Sequence, residues 1–380
     1  MSEGPTPIGV LLRATPPDRL PELVADQLRQ HHAAGRVEVL LSDLTRTGLW
    51  PVLDPDGPAA GTLALRCFGS QRPVTDIGVG RSNRVHLPIT VWGERLGVLV
   101  VDTALPAGNG LTETFAGIAD ELAVALRAAN GDTDRYARVQ RRQRLTMAAE
   151  LQWNLLPGSS LGDDRFLLAG QLEPAYDVHG DHFDWSLDGD RLTVTVLNGF
   201  GDGLAAALLT TTAVNAMRNA RRSGANLVEQ AELASDAIWS RAGGHGHAAT
   251  LLLEIDLVGG RVEAVDAGSP KAMVARDGEI RPIELEQQLP LGMFGDSRYE
   301  PQHFSLEPGD RLLVVSDGVH AAAPSGRAEF GGSGLLSALR RTRLQPATEA
   351  IGTVMRSLRE YHAGTDPADD AVIVCLDWRR

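Results

Sequence analysis

Between residue 165 and the C-terminus, short β-like runs alternate with turns, and helices come in groups instead of one after every strand. The runs are "FLLAGQLEPAY", "RLTVTVLNG", "ATLLLEIDLVGGRVEAVDAG", "PKAMVARDGEI", "DRLLVVSDG" and "DDAVIVCLDW". Helices are expected over 204–222 and 227–242, with a further helical region near 334–361. A parallel sheet needs a crossover connection between successive strands, whereas tight turns between strands build antiparallel pairs. The pattern therefore predicts an α/β/β/α sandwich over 165–380: two antiparallel sheets packed face to face and flanked by helices.

The first third has a different rhythm. "PDRLPELVADQLRQHH" reads as an amphipathic helix, and "RVEVLLSDL" and "GTLALRCFGS" as strands. "NRVHLPITVWGERLGVLVVDTA" reads as two strands joined by a tight turn at Gly93-Glu94. "LTETFAGIADELAVALRAA" closes the unit as a helix, with Thr112 as its N-cap and Glu113 in the first turn. The hairpin "LPITVWGERLGVLVV" followed by "FAGIADELAVAL" resembles the last third of a GAF sensory domain. That resemblance implies a small-molecule ligand or a dimer contact, although no cysteine or histidine is placed as an evident haem or chromophore anchor. The whole is expected to be an α/β two-domain protein: a GAF-like domain over 1–130, a helical linker over 131–157, and the sandwich over 165–380.

The linker, "GDTDRYARVQRRQRLTMAAELQWNLLP", carries five arginines between Arg135 and Arg144. Leu145, Ala148, Leu151 (or Gln152) and Leu155 recur at three- to four-residue steps, so one helix with an apolar stripe is expected, ending at Pro157. With no sequence neighbour obliged to cover that stripe, a homodimer through the linker and the first domain is expected.

A formal net charge of −13 over 380 residues argues against a nucleic-acid partner, which would need a basic footprint. The N-terminus lacks a basic region followed by an apolar one, and no run approaches the roughly 18 apolar residues of a membrane span, so no membrane association and a cytoplasmic location are expected. Cys67 and Cys375 stand far apart with no metal-ligand spacing and read as buried small hydrophobes. There is no GxSxG elbow and no P-loop. His245 and His247, in "GHGH", lack a third ligand and read as a surface pair, and His182, His320 and His362 carry little functional weight.

The chemistry concentrates at the ends of the apolar strands: Asp181 in "HGDHFDW", Asn198 in "VLNGFGDG", Asp317 in "VVSDGV" and Asp369 in "ADDAVIV". Oxygen-only clusters beside glycine suit hard divalent cations. Any one of these dipeptides alone is an ordinary turn. As an ordered set over about 230 residues, "HGDHFD", "NGFGDGLAAAL", "DAGSPK", "SDG" and "DDAVIV" resemble the SpoIIE branch of the metal-dependent 2C-type (PPM) serine/threonine phosphatases. The preceding "MAAELQWNLLP" resembles the segment that leads into that domain.

The resemblance implies Mn²⁺ or Mg²⁺ in a two-metal site, with Asp181 as an outer metal group, Asp317 and Asp369 as ligands of one ion, and the Gly199 carbonyl as a ligand of the other. It implies hydrolysis of phosphoserine or phosphothreonine on a phosphoprotein such as an anti-sigma-factor antagonist. Asn198 stands where that family has the aspartate bridging both metals, and removing this charge weakens the second metal most. Asp202 stands in place of a histidine, Asp266 in place of an asparagine, and Ser269 and Lys271 in place of His-Pro-Pro. Two readings follow: a weakened phosphatase in which Asp202 is a compensating ligand, or a catalytically inactive pseudophosphatase that serves as a sensor scaffold for a phosphoprotein.

Overall fold

A computed structural model of the chain describes residues 6–77, 83–105, 109–142, 144–174, 178–324, 328–365 and 367–379. It divides into two compact units, Met1–Arg144 and Leu145–Arg380.

In the first unit, β1 (Ala34–Ser42), β2 (Leu49–Pro51), β3 (Val74–Ile77), β4 (Asn83–Val91) and β5 (Glu94–Thr103) form one antiparallel sheet in the order β2-β1-β5-β4-β3. Alternation along β5 sends Leu99 and Val101 to one face and Val98 and Val100 to the other, and both faces are covered. Helices α1 (Ile8–Ala14), α2 (Leu20–His32) and α4 (Asn109–Ala129) bury Leu12, Val24, Leu28, Phe115 and Leu122 on the first face. The opposite face is closed by α3 (Thr62–Ser70), through Ala64 and Cys67.

Three local expectations change here. "GTLALRCFGS" is the helix α3, not a strand: the run is too short for period alone to separate the two states, and the second face of the sheet supplies the partner for its Ala64–Cys67 side. The β4–β5 turn is Trp92-Gly93, both at positive φ (49° and 82°), and Glu94 already pairs with Val91. Helix α4 begins at Asn109, so Thr112 lies inside it.

The expected linker helix is two helices. Thr133 caps α5 (Asp134–Gln140) and Thr146 caps α6 (Met147–Leu155), each accepting from a backbone N–H, and Arg141 and Thr146 are extended. The arginine-rich stretch is divided between elements: Arg135 donates to Glu22, and Arg142 lies 3.6 Å over the Trp50 ring. The stripe on α6 is covered within the chain, where Ala148, Ala149, Leu151 and Trp153 pack with Val178 and Ala207. An uncovered stripe therefore no longer argues for a dimer.

The second unit has the layered build expected. One sheet runs β14-β11-β10-β9-β8, from β8 (Asp181–Asp188), β9 (Arg191–Gly199), β10 (Ala248–Asp256), β11 (Arg261–Ala267) and β14 (Gln302–Ser305). The other runs β13-β12-β15-β16-β7-β6, from β6 (Ser160–Gly162), β7 (Phe166–Glu173), β12 (Lys271–Arg276), β13 (Glu279–Pro282), β15 (Arg311–Val315) and β16 (Ala371–Trp378). Every pairing is antiparallel.

Phe183, Val194, Val196, Leu251 and Leu253 of the first sheet meet Leu168, Leu312, Val314, Val372 and Val374 of the second in one core. Helices α7 (Gly203–Arg222) and α8 (Leu227–Ala242) cover the outside of the first sheet through Leu209, Val214 and Ile238. The short α9 (Asp317–His320) with α10 (Ser333–Arg341) and α11 (Ala347–His362) covers the second through Val319, Leu335 and Val354. Among the described residues, no helix is long and apolar enough to cross a membrane.

Candidate active site

Strand alternation and register decide where the carboxylates go. Asp181 begins β8 and pairs across to Asn198 on β9, and both continue the faces of Phe183 and Val196 that look toward the other sheet. Asp317 follows the end of β15, and Asp369 lies in the turn before β16, the neighbour of β15. The two sheets thus bring their charged strand ends to the same edge of the sandwich.

The contacts are specific. Asn198 Nδ2 donates to Asp317 Oδ1 at 2.7 Å, and the Gly318 amide donates to the same oxygen at 3.1 Å. The amide of Asp370 donates to Asp369 Oδ1 at 2.8 Å. Asp181 is completely buried, and neither carboxylate oxygen has a well-formed hydrogen bond. Burial first, then the negative charges of Asp317, Asp369 and Asp370, push its carboxyl well above the usual carboxylate range, opposed in part by the nearby Ser316 hydroxyl. Burial and Asp317 raise Asp369 to about 6, against a smaller opposing effect of His179. Among the described residues, no lysine or arginine pairs with Asp181, Asp317 or Asp369.

The neighbouring positions divide. Gly199 is buried, and its carbonyl lies against Gly180, where φ is +87° and a Cβ would come within 2.7 Å of that oxygen; only glycine fits there. Asp202 is exposed at the start of α7, and no hydrogen bond or ion pair described for the structure joins it to the other carboxylates. Asp266 is buried and spends one oxygen on the Gly268 amide at 3.0 Å, capping its own turn. Ser269 presents its carbonyl to His320 Nε2 at 3.2 Å, and Lys271 is exposed. His247 stacks on Phe200 at 4.7 Å. A cavity of about 480 Å³ opens beside Asp317 and Asp369, bordered by Gly318, Pro324, His362 and Thr365.

Among the described residues, no three His, Cys, Asp or Glu side chains form a ready-made ligand cage. A hard cation does not require one: Mg²⁺ keeps several waters and is held through one or two carboxylates. The buried carboxyl of Asp181 and the raised carboxyl of Asp369 are groups that either a proton or a cation would relieve. The Asn198 amide presents N–H, not a carboxylate oxygen, to Asp317.

Gln152, by sequence only an alternative member of an apolar stripe, reaches this edge. Its Nε2 donates to the Asp181 carbonyl at 2.7 Å and to Asp370 Oδ2 at 2.8 Å. A glutamine at a stripe position was the available signal.

An antiparallel α/β/β/α sandwich with carboxylates collected at one edge defines a 2C-type phosphatase fold. Residues 188–379 match the family described as Stage II sporulation protein E (SpoIIE), and the chain belongs to that family. It is similar to the phosphoserine phosphatase RsbP of Bacillus subtilis, 21% identical over 62% of this chain and 58% of that protein. It is also similar to protein IcfG of Synechocystis, 22% identical over 62% of this chain and 41% of that one. The chain thus spans about half the length of these curated relatives. Among solved structures, the RsbU and RsbW domains of Rv1364c from Mycobacterium tuberculosis share the fold, with a TM-score of 0.51 and 21% identity, over 59% of this chain and 63% of that one.

Proposed function

We propose that the chain is a metal-dependent phosphoserine/phosphothreonine protein phosphatase of low turnover, acting on a phosphoprotein of the anti-sigma-factor-antagonist kind. The observation that carries this reading is the gathering of Asp181, Asp317 and Asp369 at one edge, with no lysine or arginine paired to them among the described residues, beside an open cavity. A phosphoryl dianion would be repelled by this edge unless a cation stood between them. Asp317 and Asp369 would hold Mn²⁺ or Mg²⁺, with Asp181 behind them. When bound, the ion would supply charge neutralisation at the phosphoryl oxygens and a more acidic water. Asn198 fixes the Asp317 carboxylate through its side-chain N–H.

The low turnover follows from Asn198: with an amide at this position, nothing anionic stands between two cations. That same contact favours a second reading, a pseudophosphatase that binds the phosphoprotein without hydrolysing it. Asp202, exposed at the start of α7, gives the compensated site little support. We further propose that 1–130 is a GAF-like sensory module with a small-molecule ligand or a dimer contact, that 165–380 is the phosphatase domain, and that the protein works in the cytoplasm. The five-stranded sheet covered on both faces supports an α/β module there.

The deciding experiment is hydrolysis of a phosphoserine peptide with excess Mn²⁺ or Mg²⁺, beside calorimetric metal titration. The phosphatase reading expects metal-dependent turnover that Asp317→Asn abolishes. Background rates in the wild type, with intact phosphopeptide binding, would establish the pseudophosphatase instead.

A further inference from the structure

We infer that Gln152 is a positioning residue for the active-site edge: its side-chain amide clips the strand carrying Asp181 to the turn carrying Asp369, and so holds together carboxylates that belong to different sheets. The inference rests on the proposed site. It concerns a residue on α6, outside the strand ends that supply the carboxylates.

The amide has two N–H bonds to give, and both are spent on this edge. One goes to the backbone carbonyl of Asp181 at 2.7 Å, the first residue of β8. The other goes to Asp370 Oδ2 at 2.8 Å, one residue before β16. The strands β8 and β16 lie in different sheets. Asp370 Oδ2 also accepts the His179 amide at 2.9 Å, and the Asp370 amide donates to Asp369 Oδ1 at 2.8 Å. The carbonyl of Asp370 packs so closely on Gly318 that a Cβ there would lie 1.8 Å from it. Asp370 is therefore a hub touching the segments of Asp181, Asp317 and Asp369, and Gln152 is the side chain from α6 that ties it to β8.

Burial argues that the contact is more than filling. Gln152 is 2% exposed, and its Oε1 is buried with no hydrogen-bond partner among the described residues. An apolar side chain of the same length would occupy this place without leaving an acceptor unpaired, so what glutamine adds is its donor pair. Outer groups that orient metal-binding carboxylates govern affinity without touching the ion, and their loss costs about 10- to 100-fold.

Gln152→Met keeps the length and removes both donors; Gln152→Ala removes the volume as well. Hydrogen exchange in the full chain without metal should quicken about tenfold at residues 178–182 and 369–372 in the Met variant, with α7 and α11 unchanged. From the wild type to the Met variant, the apparent Mn²⁺ constant for phosphoserine-peptide hydrolysis should weaken about tenfold while the peptide KM stays within about twofold. A Met variant with wild-type exchange at both segments would overturn the inference, because filling alone would then suffice. Faster exchange spread evenly over residues 145–380 would overturn it too, showing general destabilisation. If the wild type neither binds Mn²⁺ nor hydrolyses the peptide, the phosphatase reading fails, and the exchange comparison still decides the role of Gln152.

Discussion

The two ends of the sandwich treat their aspartates in opposite ways. At the end where β15 begins and β16 finishes, three acids meet arginines: Arg311 Nε lies 2.6 Å from Asp377, Arg276 2.6 Å from the buried Asp310, and Arg165 2.6 Å from Asp163. At the other end Asp181, Asp317 and Asp369 crowd together, and among the described residues no lysine or arginine pairs with them. The same contrast runs along a single strand. Asp184 faces α7 and is held by Arg218 at 2.7 Å and Arg221 at 3.3 Å, while Asp181, on the opposite face of β8, is buried and pairs with no arginine or lysine among the described residues. One end closes its charges to stabilise the fold, and the other leaves them open for something from outside.

The largest expected effect tests the closed kind of site. Asp184→Ala strands two arginines, and should cost about 3–5 kcal/mol in urea unfolding. Asp181→Asn replaces a carboxyl whose ionised form is disfavoured by burial and by its acidic neighbours, and should leave the metal-free protein as stable or more stable. Equal losses in both variants would break the distinction.

Next in size is Asn198→Asp. It replaces the N–H given to Asp317 with a like charge, so without metal the protein should be less stable, and Mn²⁺ should restore it. If the site is a weakened phosphatase, tighter binding of a second cation should raise turnover roughly tenfold, or about 1.4 kcal/mol. A background rate in saturating Mn²⁺ would mark the pseudophosphatase.

The smallest effect is on pH dependence. Asp369 is raised in the folded state to about 6 by burial and by Asp317, so its folded form binds more protons than the unfolded chain. That contribution is fully present below the unfolded carboxylate range near 4 and is lost as pH rises through about 6. Its size is about 1 kcal/mol once its partial exposure to water is allowed for. Asp181 acts in the same direction. Metal-free unfolding followed from pH 4.5 to 7.5 should show a loss that Asp369→Asn reduces, whereas Asp377→Asn, at the paired end, should leave that slope in place.

The sequence by itself determined the layered sandwich and the identity of the carboxylates, because strand period and turn residues are local and survive without a partner. Alternation along β9 and β16 predicts which residues face inward before any contact is known. Tertiary structure alone decided the rest. "GTLALRCFGS" became a helix because the second face of the first sheet needed cover. The stretch 131–157 broke between α5 and α6 because its two halves pack in different units. Gln152, a polar residue in an apolar stripe, acquired its meaning only when β8 and the turn before β16, 218 residues from it in sequence at Asp370, were brought within reach of one amide. Hydrogen bonds between distant segments depend on distances that folding sets, and no local pattern records them.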